Sequence, residues 1–220
     1  MANSIALFTA TLLLTVWLLL RIARRASPAR YHAFSLLLLV WLSITGALAY
    51  SQALTNFNRI PPILPVCILI AIATSTALAL KMPTEIPISW LIGYQAFRIP
   101  VEIFLHLGYL AGYVPVQMTW EGRNWDVLTG LTALPVAWLA SRDKLPIWAV
   151  HLWNAAGFAL LVNIKTIAIL SLPTPFRQFH NEPANLFVTQ LPFVWLPAIL
   201  VPAAWFGHLA LFKKTVPTTN

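Results

Sequence analysis

The side chains with chemistry to offer sit in one apolar stretch. Between Pro87 and Val114 (PISWLIGYQAFRIPVEIFLHLGYLAGYV) stand Gln95, Arg98, Glu102, His106, Tyr109 and Tyr113. Laid on a helix at about 100° per residue, these six share a wedge of about 80°. Ionisable groups in a segment apolar enough to cross a bilayer are costly, so they face a protein interior or a wet cavity and mark a site. Arg98 supplies a cation for an anionic group, and Glu102 with His106, one helical turn apart, supplies an acid–base pair able to move protons. These two are the expected catalytic residues.

Other polar residues gather toward the same end. The segment after the stretch, VQMTWEGRNW, leads into Asp126, and a loop of about 20 residues from Ser171 to Gln190 carries Arg177 and His180. The expected binding set is therefore Gln95, Arg98, Tyr109, Arg123, Asn124, Asp126, Arg177 and His180.

Blander and rival readings exist for each feature. Arg98 and Glu102, four apart, can form a structural ion pair that bridges helices. Glu102 and His106 have the spacing of two metal ligands, and His180, Asp126 or Glu182 could complete a zinc set; two residues are a weak signal, and Arg98 competes for the carboxylate. His151 and His208 could face one another as haem ligands, although a buried histidine bonded to backbone or to Asn154 is the commoner arrangement. Lys165, a candidate for a covalent cofactor, lies near a helix end, where snorkelling accounts for it. No metal or cofactor is expected. Glu121 to Asp126 reads equally well as a turn at Gly122 with Asp126 capping a helix. Cys67, the only cysteine, excludes an intramolecular disulfide.

The elements that must position these groups follow from hydropathy. With 59% hydrophobic and 9% charged residues and a mean hydropathy of +0.76, the chain is far from a soluble composition. The apolar runs predict an all-α, polytopic integral membrane bundle, a single transmembrane domain over 1–220. About seven transmembrane helices are expected, near 4–22, 31–54, 62–81, 87–114, 126–140, 146–170 and 191–212. The fourth would be about 42 Å long if straight, and Pro100 predicts a kink beside Arg98 and Glu102. The carbonyl of Ala96, which Pro100 cannot satisfy, needs another donor, and the Arg98 side chain is one candidate. The fifth span, about 22 Å, is short for a crossing, which makes 115–125 a candidate re-entrant segment. Pro192, Pro197 and Pro202 predict a bent last helix. Residues 171–190 read as an outer loop or lid.

The formal net charge of +8 does not point to nucleic acid, because the cations cluster at helix ends. Arg21, Arg24, Arg25, Arg30, Lys81, Arg142, Lys144, Lys213 and Lys214 fall on one side, against Arg59, Arg123 and Arg177 on the other. The positive-inside rule then places the N-terminus outside and the C-terminus in the cytoplasm of a cell membrane, the inner one in a bacterium. Glu102 and His106 lie in the outer half, with both long loops. The bilayer is the expected partner.

Three functional classes follow. The favoured one is a small membrane enzyme or binding protein for a lipid-linked or small anionic ligand. The others are a structural or assembly subunit, whose partners would be other membrane subunits, and a proton-coupled transporter, disfavoured by the lack of an internal repeat.

Overall fold

Uninterrupted apolar runs become helices, and prolines decide where those helices break. The computed structural model describes residues 2–83 and 85–215, with no strand among them. Three helices come first: α1 (Ala2–Ala26), α2 (Tyr31–Tyr50) and α3 (Ile63–Leu80). Then follow α4 (Ile88–Gly93), α5 (Arg98–Leu110), α6 (Val127–Ser141), α7 (Ile147–Leu170) and α8 (Val201–Thr215). Five of the helical segments are long and apolar enough to cross a membrane: Asn3–Ala26, Pro28–Tyr50, Ile63–Leu80, Ile147–Leu170 and Leu196–Thr215.

The two other expected spans take different forms. The stretch 87–114 is not one kinked helix: a tight 3-10 segment, Tyr94–Phe97, separates α4 from α5. It ends just before Pro100, whose missing N–H removes a helical bond to Ala96 and so lowers the cost of a break there. The span at 126–140 appears as α6, 15 residues long with Pro135 inside it. The last helix starts at Leu196 rather than Leu191. Its first turn, Leu196–Leu200, is a wide π turn, as expected where Pro197 and Pro202 interrupt the regular ladder.

The last helical segment is the axis of the bundle. In its apolar window 72% of residues are buried, against 28% or less in the other four long helices. Helices α3, α4 and α7 pack against α8, and α6 packs against α4 and the 3-10 segment. Helix α2 is peripheral, its window 11% buried. Two indoles tie it on: Trp41 donates Nε1–H to the Ala198 carbonyl at 3.1 Å and Trp195 donates to the Leu42 carbonyl at 3.2 Å. Ala198 is four residues before Pro202, so Trp41 supplies the donor that the proline lacks. Aromatic rings close the end of α1 against α5: Phe8, Phe104 and Phe193 lie 5.0–5.4 Å apart between centroids. Large apolar side chains, including Leu36, Leu39, Leu69, Leu131 and Leu152, remain exposed around the outside.

Candidate functional site

Arg98 opens α5 and is 2% exposed, which obliges it to find partners inside the protein. Its Nε lies 3.0 Å from Asp126 Oδ2, at the entry to α6, although that N–H is not aligned as a hydrogen bond. Its Nη1 lies 3.1 Å from Nε2 of His208 in α8. The guanidinium therefore turns away from Ala96, the acceptor suggested by Pro100, toward α6 and α8.

The next shell fixes how His208 takes part. Asn154 of α7 donates Nδ2–H to the His208 carbonyl at 3.1 Å, and its Oδ1 lies 2.7 Å from His208 Nδ1. With the amide oriented by the first bond, Oδ1 is an acceptor and Nδ1 carries the proton. Nε2 is then a lone-pair acceptor for Arg98. One chain of contacts, Asp126–Arg98–His208–Asn154, thus joins α6, α5, α8 and α7.

Glu102, one turn beyond Arg98, has a separate partner. Asn124 Nδ2 lies 2.8 Å and 2.7 Å from its two oxygens and 3.0 Å from the Met118 carbonyl, while Asn124 Oδ1 accepts the Asp126 N–H at 3.1 Å. Asn124 is fully buried. A segment that reads as a polar loop is folded into the bundle, and it delivers Asn124 to Glu102 and Asp126 to Arg98.

Close backbone approach makes the arrangement possible. A Cβ on Gly157 would lie 2.8 Å from His208 Cε1, and one on Gly207 would lie 2.7 Å from Gln95 Nε2. Gln95 donates that amide to the Ala204 carbonyl at 3.1 Å, and Tyr94 donates its hydroxyl to Ala203. Both bonds anchor the 3-10 segment on α8.

Beside this network is a cavity of about 90 Å³. Arg98, Glu102 and Asp126 meet it at one end, and Lys165 and Asn185 also border it. Most of the remaining lining is apolar and comes from α3, the 3-10 segment, α5, α7 and the π turn that leads into α8, including Leu64, Phe97, Leu161 and Leu200. Four buried atoms on its bordering residues have no hydrogen-bond partner: Arg98 Nε and Nη2, Asp126 Oδ1 and Asn185 Oδ1. Lys165 also stands over the Trp205 ring, 3.9 Å from its centroid.

The other expected site residues lie elsewhere. His106 makes no hydrogen bond or ion pair with Glu102. It lies 3.4 Å from Glu121 and stacks on Trp120 at 4.3 Å. Tyr109 is half-buried beside His106, and Tyr113 stacks on Phe193. Arg123 is exposed, over the ring of Phe179. Arg177 staples its own loop, donating to the carbonyls of Phe179 and Asn181 and to Glu182. His180 is exposed. The two long loops are nevertheless joined: Gln117 donates to Ser171 Oγ and accepts from Asn181, each at 2.8 Å.

His208 and Asn154 did not figure in the expected binding set, since nothing local in sequence links α7 and α8 to Arg98. A buried histidine bonded to Asn154 was the expected alternative to haem ligation by His151 and His208, and His208 takes that form. His151 contacts Thr215 instead of facing His208. No three His, Cys, Asp or Glu side chains converge among the described residues.

Fold and site together define an all-helical bundle with a buried ion network beside a mostly apolar cavity. The chain belongs to the family described as "Domain of unknown function (DUF8737)", which matches residues 59–216. No curated protein and no solved structure matches it. The matched segment contains the whole network and the whole cavity lining, and α1 and α2 precede it.

Proposed function

We propose that the chain is a multi-pass membrane protein, N-terminus outside and C-terminus inside, that binds an anionic, apolar-tailed ligand in the cavity beside Arg98. The exposed apolar surface and five spanning-length helices support insertion. Helices α4–α5 and α6 complete seven passes in this reading, as a broken and a short crossing. The observation that carries the ligand reading is the cavity itself: unpaired Arg98 Nη2 and the Lys165 ammonium border a space otherwise walled mainly by hydrocarbon. At about 90 Å³ such a space takes a charged head group and the first carbons of its tail, the rest of which lies outside it. Glu102, held by a neutral amide and outside any ion pair among the described residues, is the group that exchanges a proton. His106, one turn further along α5, pairs with Glu121 instead.

The test is thermal stabilisation of detergent-purified protein by dodecyl phosphate, inorganic phosphate and uncharged dodecyl maltoside. Dodecyl phosphate at about 100 times its Kd contributes about 2.7 kcal/mol, and Lys165→Gln weakens the response. Calorimetry in buffers of different ionisation enthalpy reports proton uptake on binding, which Glu102→Gln abolishes while leaving the fold intact. Stabilisation by inorganic phosphate alone assigns a small anion; equal stabilisation by all three probes refutes the site.

A second reading is favoured by one observation: the ion network joins four helices. Under it the buried charges lock the bundle as a subunit of an assembly. Loss of folded Glu102→Gln protein, with no probe stabilising the wild type, supports that reading instead.

A further inference from the structure

A second hollow, about 310 Å³, opens at the opposite end of the bundle. Trp41 and Trp195 tie α2 at mid-length to the segment that precedes α8, and the hollow lies between α1, α2 and α3 on the N-terminal side of that tie. Ile22 and Ala26 of α1, Phe34 and Leu38 of α2, and Thr74 and Leu78 of α3 form its walls. Trp41 closes the deep end, and Arg30 and Lys81 stand at the mouth.

Depth and charge together point to the occupant. From Trp41 to Arg30 along α2 is about 16 Å, which is roughly half of a hydrocarbon core of about 30 Å. The cleft is thus one leaflet deep. Arg30 and Lys81 have no carboxylate within 4 Å among the described residues. Lys81 is not needed to cap α3 either, because Lys213 Nζ donates to the Leu80 and Met82 carbonyls at 2.6 Å and 2.9 Å. Two cations without an ion-pair partner among the described residues, at the open end of an apolar slot, complement a phosphate carrying an acyl chain.

We propose that this cleft holds one acyl chain of an anionic glycerophospholipid from the cytoplasmic leaflet, with the phosphate between Arg30 and Lys81. The site rests on membrane insertion as read above and is independent of the Arg98 cavity. The lipid braces α2 against α3 where protein contacts are lacking.

The experiment is native mass spectrometry of the detergent-purified full chain with dioleoyl phosphatidylglycerol or dioleoyl phosphatidylcholine. One phosphatidylglycerol adduct is expected to survive activation that strips phosphatidylcholine. The preference should be about 30-fold, at roughly a factor of five per cation. Thr74→Trp, at an exposed wall position, fills the slot and abolishes the retained adduct, with monodispersity on gel filtration confirming the fold. Arg30→Gln with Lys81→Gln brings the two lipids to parity while an adduct persists. Equal retention of both lipids by the wild type, or an undiminished adduct in Thr74→Trp, overturns the proposal. Release of the expressed chain from membranes by alkaline carbonate refutes insertion itself, a separate outcome from loss of lipid preference in a chain that stays inserted.

Discussion

Replacing Asn154 tests the chain of contacts from α7 to Arg98. In Asn154→Ala, His208 loses the acceptor for Nδ1–H at 2.7 Å, and its carbonyl loses a donor at 3.1 Å. Two hydrogen bonds at about 0.6–1.5 kcal/mol each contribute about 1–3 kcal/mol. His208 is fully buried, so Nδ1–H is left without a partner, which costs about 1–3 kcal/mol more. Ring rotation can recover part of this, and the expected loss is about 2–4 kcal/mol. The assay is reversible unfolding in mixed micelles of dodecyl maltoside and sodium dodecyl sulfate, with the double-mutant cycle Asn154→Ala/His208→Ala. A coupling energy above about 1 kcal/mol is expected for directly bonded partners. The cycle extends to Arg98: once His208 is freed to place a proton on Nε2, two donors face each other. The single Asn154→Ala variant should therefore be worse than the double variant predicts by addition. A loss below about 0.5 kcal/mol, or additivity within that margin, refutes the assigned proton on Nδ1 and the reading of Asn154 as its anchor.

Two further outcomes follow from particular contacts. Trp41→Phe leaves the Ala198 carbonyl without its indole donor and should cost about 1–3 kcal/mol; adding Pro202→Ala restores a backbone N–H and should recover much of it. If the variant loses the same stability in the Pro202→Ala background, Trp41 is not acting as the substitute donor. In the 171–190 loop, Arg177 donates to Glu182, and the Ala184 N–H adds a second bond; together they hold that carboxyl below the usual range. A depressed folded value means that the contribution is complete above the unfolded value of about 4.3 and is lost as pH falls through the lower folded one. Limited proteolysis between Phe176 and Asn185 should therefore accelerate on acidification into that window, and Glu182→Gln should remove the acceleration. An unchanged pH profile in that variant would sink the assignment.

Much of this protein is determined locally. Apolar length alone specifies that α1, α2, α3, α7 and the α8 segment are helices, since a run of such residues must satisfy its backbone internally wherever it is buried. The prolines announce irregularity near Arg98 and at the start of α8. Burial cost announces that Arg98 and Glu102 need partners. None of these signals says who the partners are. Arg98 meets His208 across a sequence separation of 110 and His208 meets Asn154 across 54. Such pairings depend on crossing angles and on close approach at Gly157 and Gly207, which are properties of the packed bundle. The same limit explains why Glu102 and His106 looked like one unit. Helical spacing brings them onto one face, but the 115–125 segment gives Asn124 to one and Trp120 and Glu121 to the other. Hydropathy and proline placement thus specify most of the helical stretches, and burial cost specifies which side chains need partners. Only the tertiary structure decided how those side chains are shared out, because a buried charge is satisfied by whatever groups the packing brings within about 3 Å, however distant in the chain.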